Sequence, residues 1–339
     1  MPPVAESIRE VAGLDPRSLP DEILRSTEPL VLRGLVSQWP MVHAARTSTR
    51  TAIDYLKRFD HGGMPVVANV APPEAAGRVF YNEDLSGFNF RRENVPLAVV
   101  LDTLRKYQDE AAPPSIYVAS TTLDTFLPGF RDENDLDLGA RAPLASIWIG
   151  NRSRIPAHQD VPDNLACVVA GRRRVTLFPP SQLENLYIGP LDHTPAGQAV
   201  SLVDFHAPDH ARFPKFAEAL RHAQAAELEA GDAVFIPSMW WHHMEGLEPF
   251  NVLVNYWWRQ SPAWMDTPMN ALMLAIMCVR DLPPAERAIW KDVFDHYVFD
   301  YEEAGVAGHI PESARRVLGP LDEARVRHLR ALLLQRMNR

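Results

Sequence analysis

The chain has 339 residues and 46% hydrophobic residues, enough for a sizeable core in one large domain or two small ones. Its net charge of −9 argues against a broad nucleic-acid-binding face, which is usually basic. No apolar run reaches the roughly 18 residues of a membrane span, and the first residues lack a signal-peptide pattern. Cys167 and Cys278 lie in apolar stretches, so we expect reduced core thiols in a cytoplasmic protein.

The N-terminal third reads as an extension that packs on a following domain. The periodicity predicts a short helical lead-in over residues 1–30 and a buried strand running into a turn over Pro29–Pro40. Further elements are a helix over Thr51–Phe59, a strand over residues 64–73 and a helix over Asn94–Glu110. We place the end of this extension at residue 115.

The pattern changes to short strands from about Ile116 to Trp258. The strands are SIYVAST, LASIWIG, NLACVVAG, RRVTLFPP, DAVFIP and NVLVNYWW, with a longer insertion over residues 181–229. Many short strands without regular intervening helices predict a mainly β domain, a sandwich or barrel such as a jelly roll, over residues 116–260.

Residues 261–339 have a helical pattern. The segment Met269–Val279 is apolar nearly all round, and its methionines repeat every four residues. Such a surface has to be covered, either by the chain's own barrel or by another chain.

The spacing of His158 and Asp160 carries the first chemical signal. Two residues apart on a strand project from the same face, so an imidazole and a carboxylate can take adjacent positions on one metal. A second histidine from a distant strand would complete the two-His-one-carboxylate triad of non-haem Fe(II) oxygenases, with positions open for a 2-oxo acid and O₂. A turn-proximal surface pair is the alternative interpretation.

The stretch GDAVFIPSMWWHH offers that second histidine. A tight turn at Gly231 precedes a short apolar strand and Pro237, and His242 follows five residues later. This resembles the second cupin motif, with Met239 where many cupins have glycine. The alignment selects His242 as the ligand and leaves His243 as an outward residue or one that contacts a ligand.

Several further motifs support one family. IPAHQDVPDN, GRRRVTLFPP, LYIGPLDH, VDFHAPDHARFP, GDAVFIPSMWWHHMEGL and VNYWW, with LVLRGLVSQWP upstream, are similar to motifs of the JmjC and cupin-like hydroxylases. The strongest similarity is to the branch containing the asparaginyl hydroxylase that inhibits hypoxia-inducible factor. The resemblance implies a double-stranded β-helix, the fold of cupin and JmjC domains, with flanking helices.

The resemblance also implies roles for individual residues. His158, Asp160 and His242 match the iron ligands. Arg173 replaces the family's lysine for the far carboxylate of 2-oxoglutarate, which arginine can hold bidentately. By strand alternation, the arginines on either side of Arg173 should face solvent.

Three polar residues match further co-substrate contacts. Tyr117 matches a tyrosine that hydrogen-bonds the far carboxylate, although an ordinary core tyrosine fits as well. Asn164 and Asn255 match asparagines near the metal-side carboxylate. Ile155 departs from the pattern, because many relatives have a threonine there that donates to the co-substrate; this leaves the choice of 2-oxo acid open.

The function implied is an Fe(II)- and 2-oxoglutarate-dependent dioxygenase that hydroxylates a protein side chain. A small-molecule substrate stays open, a nucleic-acid substrate is disfavoured, and no membrane partner is expected. The resemblance also favours a homodimer through the C-terminal helices. The alternatives are a non-enzymatic, metal-binding cupin acting as a small-ligand sensor and a zinc cupin of the isomerase type, against which Asp160 argues. We expect the histidines of the insertion to lie on loops without a role in the site.

Overall fold

The structure is a computed structural model that describes residues 6–62 and 64–338. The chain divides into two compact units, the first ending at Trp258 and the second beginning at Arg259. The strands are β1 (Glu6–Ser7), β2 (Arg9–Ala12), β3 (Leu30–Arg33), β4 (Val66–Ala71), β5 (Arg91–Val95), β6 (Ser115–Thr122), β7 (Leu144–Gly150), β8 (Ser153–His158), β9 (Asp163–Ala170), β10 (Arg172–Phe178), β11 (Gln224–Glu229), β12 (Ala233–Ile236), β13 (Trp241–Gly246) and β14 (Asn251–Trp258).

The helices of the first unit are short and lie between or beside the strands. They are α1 (Asp21–Leu24), α2 (Pro40–Thr47), α3 (Thr49–Lys57), α4 (Leu97–Tyr107), α5 (Leu123–Phe126), α6 (Phe130–Glu133) and α7 (Phe216–Arg221). The helix predicted from Asn94 begins later, at Leu97, because the residues before Pro96 pair in β5. Proline at that point lacks the N–H of a strand ladder and suits the start of a helix.

The strands of the first unit form two sheets. The small sheet has the order β1-β11-β10-β13-β8 and the large sheet the order β2-β3-β12-β9-β14-β7-β6-β4-β5. All pairings are antiparallel except β1 with β11 and β2 with β3. A cavity between the sheets is lined by residues of both. The predicted mainly β fold with flanking helices is confirmed, as two facing sheets whose described strands do not close into one hydrogen-bonded barrel.

The helical lead-in predicted over residues 1–30 is wrong. Residues 6–12 instead form β1 and β2, which pair with β11 and β3, and only Asp21–Leu24 is helical. Ile8 is fully buried in the core. A short isolated helix over residues 6–12 would be only marginally stable, whereas strand pairing satisfies the backbone hydrogen bonds there and buries Ile8. Residues 1–5 lie outside the described part of the chain.

The turn between β9 and β10 determines which arginine faces the cavity. Gly171 has a φ of +74°, and a Cβ atom there would lie 2.5 Å from the carbonyl oxygen of Phe250, so only glycine fits. Strand β10 starts at the next residue, and alternation turns Arg173 inward. As predicted, Arg172 and Arg174 face the other way, where they form ion pairs with glutamates.

The second unit is helical, as the pattern predicts. Its helices are α8 (Pro268–Cys278), α9 (Pro284–Phe294), α10 (Glu303–Ala307) and α11 (Glu323–Met337). The Thr267 side chain caps α8 by accepting a hydrogen bond from the Met269 N–H. Cys278 is exposed, contrary to the expected core position, because α8 has no buried residue. Cys167 is a buried free thiol. Among the described residues, no helix combines the length and apolar character needed to cross a membrane.

Candidate functional site

The structure brings the three predicted metal ligands together. His158 ends β8, Asp160 follows in the loop, and His242 lies on β13 directly opposite His158. One ligand atom from each residue lies within 4.8 Å of the other two, and Nε2 of His242 is 3.5 Å from Oδ2 of Asp160. Oδ2 of Asp160 is buried and has no hydrogen-bond partner among the described residues. Two imidazoles and one free carboxylate oxygen fit a divalent metal of the Fe(II) type.

Backbone carbonyl groups orient both imidazoles. Nδ1 of His158 lies 2.9 Å from the Pro156 carbonyl oxygen, and Nδ1 of His242 lies 3.0 Å from the Trp240 carbonyl oxygen. A carbonyl can only accept, so each Nδ1 carries the proton and donates it. Each Nε2 is then left with a lone pair for a metal, and the ring orientation is set without the metal.

Charges in the site favour the ligating forms of two residues. Burial, followed by the neighbouring His242, lowers the pKa of His158 to about 4, so this imidazole is neutral at pH 7. Burial acts to raise the pKa of Asp160, but the neighbouring imidazoles of His242 and His158 outweigh it and hold the pKa below the usual range. A neutral imidazole beside an ionised carboxylate is the state that binds a cation.

A turn before β13 supports the loop that carries Asp160. The Met239 N–H donates to the Asp160 carbonyl at 2.9 Å, and the Ser238 N–H donates to the Asp163 carboxylate at 2.9 Å. Met239 has a φ of +67°, which explains why many cupins have glycine there. The two halves of the triad, far apart in sequence, are therefore joined through the backbone.

His243 lies on the opposite face of β13 from His242. It is buried rather than outward, because part of the 181–229 insertion covers that face and the ring centroid of Phe205 lies 4.6 Å away. Neither ring nitrogen has a hydrogen-bond partner among the described residues. Burial lowers its pKa to about 3. His243 is therefore a neutral packing residue behind the site.

Arg173 is a buried cation at the inner end of the cavity, which has a volume of about 510 Å³. Within the described ranges it forms no ion pair, and its Nε has no hydrogen-bond partner. Burial lowers its pKa from the usual range. A buried, unpaired guanidinium favours an anionic ligand, and the far carboxylate of a 2-oxo acid fits that need.

The other predicted co-substrate residues also line the cavity. Tyr117 is buried, and burial raises the pKa of its hydroxyl, while nearby Arg173 lowers it. The Asn255 Nδ2 donates to the Asn164 Oδ1 at 3.1 Å. Trp148 donates its indole N–H to the Asn255 Oδ1 at 2.7 Å. This series of hydrogen bonds fixes both amides beside the triad.

Some cavity residues escaped the sequence interpretation. Ile155 lines the cavity, as its departure from the threonine pattern suggested. Asn69, Arg92, Trp148, Trp257 and Gln198 line it too. The alternation on β4 could have indicated that Val67 and Asn69 share one face. Because they are far from the metal ligands along the chain, the sequence did not indicate that this face lines the same cavity.

The four histidines of the insertion lie outside regular strands and helices, and each contacts a neighbouring side chain. His206 contacts the buried carboxylate of Glu245, and His193 stacks on Phe88 at 4.7 Å between ring centroids. The four are His193, His206, His210 and His222, and none belongs to the cavity lining.

Comparison with known proteins agrees with this architecture. The model of the family described as "Cupin-like domain" matches residues 16–263, which is most of the chain. The chain belongs to the cupin-like domain family. Its JmjC-type members use Fe(II) and 2-oxoglutarate, and the His-Asp-His cluster is a metal site of that type.

Individual relatives differ in their names. The lysine-specific demethylase JMJ31 of Arabidopsis thaliana is 37% identical over 35% of this chain and 22% of its own length. The tRNA wybutosine-synthesizing protein 5 of Gallus gallus is 39% identical over 31% of this chain and 30% of its own. The human HSPB1-associated protein 1 is 27% identical over 80% of this chain and 56% of its own. The chain thus spans between a fifth and just over half of the length of these relatives.

Proposed function

We propose that the chain is an Fe(II)- and 2-oxoglutarate-dependent oxygenase that hydroxylates a protein side chain. The observation that carries the proposal is the unpaired, buried Arg173 in the same cavity as a preoriented His-Asp-His cluster. A protein that binds only a metal has no need for a buried cation at the inner end of its cavity. Binding of a 2-oxo acid requires both the metal and the cation.

The roles of the residues follow from their positions. His158, Asp160 and His242 would hold Fe(II) through Nε2, a carboxylate oxygen and Nε2. Arg173 and Tyr117 would bind the far carboxylate. When bound, Fe(II) and 2-oxoglutarate supply the oxidation of a substrate C–H bond by O₂, with succinate and CO₂ as co-products.

The walls of the cavity protect that chemistry. They are largely apolar and include Trp148, Ile155, Met244, Leu253 and Trp257. Such walls keep bulk water away from the reacting atoms and strengthen the electrostatic contacts of Arg173. Asn164 and Asn255 would hold the metal-side carboxylate in one orientation, since their own amides are fixed by hydrogen bonds.

A metal titration combined with a succinate-release assay tests the proposal. The purified protein is stripped of metal, reloaded with Fe(II), Zn(II) or no metal, and incubated with 2-oxoglutarate in air. We expect succinate only with Fe(II), and loss of succinate in Arg173→Ala. Tight metal binding without succinate under any loading supports the sensor alternative. Tight binding confined to Zn(II), with no succinate under any loading, supports the zinc cupin.

A further inference from the structure

A row of three side chains crosses the large sheet from the co-substrate end of the cavity to its rim. Arg92 on β5 lies directly opposite Asn69 on β4, and Asn69 lies directly opposite Tyr117 on β6. All three line the cavity. Tyr117 is assigned to the co-substrate, so Asn69 and Arg92 are the members of the row that the proposed chemistry does not use.

Asn69 presents an unsatisfied acceptor to the cavity. The residue is 6% exposed, and its Oδ1 has no hydrogen-bond partner among residues 6–62 and 64–338. A buried amide oxygen without a partner is unusual, because protein interiors pair such groups. The neighbouring Ala68 faces the core, which confirms that Asn69 is on the cavity face. A ligand that donates an N–H would satisfy this oxygen.

Arg92 is a cation without a carboxylate partner at the rim. Its guanidinium lies 5.4 Å and 5.8 Å from the ring centroids of Phe88 and Phe90. Within the described ranges it forms no ion pair, whereas the adjacent Arg91 pairs with Glu93. The aromatic rings restrain the arginine side chain and leave its N–H groups free to donate.

The charges around the cavity favour an anionic ligand. Among the described lining residues the acidic one is Asp160, which belongs to the metal cluster, while Arg92 and Arg173 are cations. With Arg173 engaged by the co-substrate, Arg92 remains for the substrate. One unpaired arginine in a chain of net charge −9 is too little for an RNA backbone, which needs several phosphate contacts.

We infer that the outer half of the cavity binds an acidic peptide segment, with Arg92 pairing with an Asp or Glu side chain and Asn69 accepting a backbone N–H. This inference rests on the proposed function and names its substrate class. The peptide passes Arg92 and Asn69 at the outer part of the cavity, so the carboxylate at the rim selects which neighbouring side chain reaches the metal cluster.

A selection from a random twelve-residue phage-displayed peptide library tests the inference. The full chain is immobilised with Zn(II) and 2-oxoglutarate, so that peptides are bound without turnover. We expect Asp and Glu to be enriched with the wild type and Lys and Arg with Arg92→Glu. For one enriched peptide, Arg92→Glu should weaken binding about tenfold.

Arg91→Glu is the matched control, because it makes the same charge change one residue away on the opposite face of β5. It should keep the acidic preference. Equal peptide compositions from the wild type and Arg92→Glu would overturn the inference, as would loss of the preference in both arginine variants. If total unmodified tRNA binds the wild type and Arg92→Glu abolishes that binding, the ligand of this region is RNA rather than a peptide.

Asn69 is tested by an N-methyl scan of an enriched peptide. In the wild type, methylation of one backbone nitrogen should weaken binding roughly five- to tenfold. Asn69→Leu, which has a similar volume, should weaken the unmethylated peptide by a similar factor and show no further loss at that nitrogen. A loss at that nitrogen that persists in Asn69→Leu contradicts the assigned hydrogen bond.

Failure of the inference can be told from failure of the proposed function. A protein that releases succinate with Fe(II) but selects peptides without acidic residues keeps its proposed function and loses this substrate class. A protein that selects acidic peptides but never releases succinate binds peptides without being the proposed oxygenase.

Discussion

His242 and His243 are adjacent in the chain but face opposite sides of β13, one toward the metal cluster and the other toward Phe205. The adjacent pair is therefore an internal control. His242→Ala should abolish tight Fe(II) binding, because two ligands from the cluster do not replace three. His243→Ala should retain it, with a loss of stability from the cavity that remains. Calorimetric titration with Fe(II) under argon measures the iron affinity of both variants. Loss of iron binding in the His243 variant but not in the His242 variant would refute the assignment.

Arg173 should determine affinity for 2-oxoglutarate without affecting the metal. Arg173→Ala removes a charge-assisted contact of roughly 2–3 kcal/mol, which is about 30- to 150-fold in affinity. Arg173→Lys should restore most of it, since a charge remains. Arg174→Ala, on the opposite face, is the control. Binding of 2-oxoglutarate to the Zn(II)-loaded protein is measured, and an unchanged affinity in Arg173→Ala contradicts the role.

His243 should also make the metal-free protein less stable in acid. Its pKa of about 3 in the folded state is below the ordinary value of about 6.5, so the unfolded chain binds more protons between these values. Stability is therefore lost as pH falls below about 6.5. His243→Leu should remove this contribution, up to about 3 kcal/mol between pH 7 and 4. Urea unfolding of both proteins across that range measures the difference, and parallel curves would contradict it.

Met239 should be replaceable by glycine with a gain in stability. A side chain at a φ of +67° is strained, and glycine adopts this conformation freely. Met239→Gly should raise the free energy of unfolding by about 1 kcal/mol and keep Fe(II) binding, since the backbone N–H to Asp160 is retained. Met239→Val should do the reverse. Lower stability in the glycine variant would show that methionine packing matters more than strain.

The C-terminal helices should form a homodimer. Leu272 and Met277 on α8 are 44% and 66% exposed, and Ile289 on α9 is 63% exposed, which is more apolar surface than isolated helices usually leave to water. Changing Leu272 and Ile276 together to glutamate should give a folded monomer. Light scattering at micromolar concentration decides: a monomeric wild type, or a variant that stays dimeric, contradicts the prediction.

Much of the first unit was predictable from local pattern. The strands LASIWIG and NVLVNYWW have the predicted bounds, because each is a mainly apolar run with turn residues on both sides. The metal cluster was predictable because its motifs carry fixed spacings. The family resemblance selected Arg173, and strand alternation directed Arg172 and Arg174 to the other face.

Other features depend on tertiary pairing that no local pattern reports. The strands β1 and β2 exist because β11 and β3 offer partners from distant parts of the chain. The burial of His243 depends on part of the insertion, including Phe205, that packs on the outer face of the small sheet. The relationship between Asn69, Arg92 and Tyr117 is a matter of strand register, which the hydrophobic pattern of each strand leaves undetermined.

The two facing sheets contribute residues with different roles to the cavity. His158, His242 and Arg173 stand on the small sheet, whereas Asn69 and Arg92 stand at the far edge of the large one. Strand β5 is an edge strand with a single neighbour, so its side chains can be exchanged with little disturbance of the ligands. Redesign of substrate choice should therefore begin on β5, where a library of variants can be screened while the reacting end of the cavity is held constant.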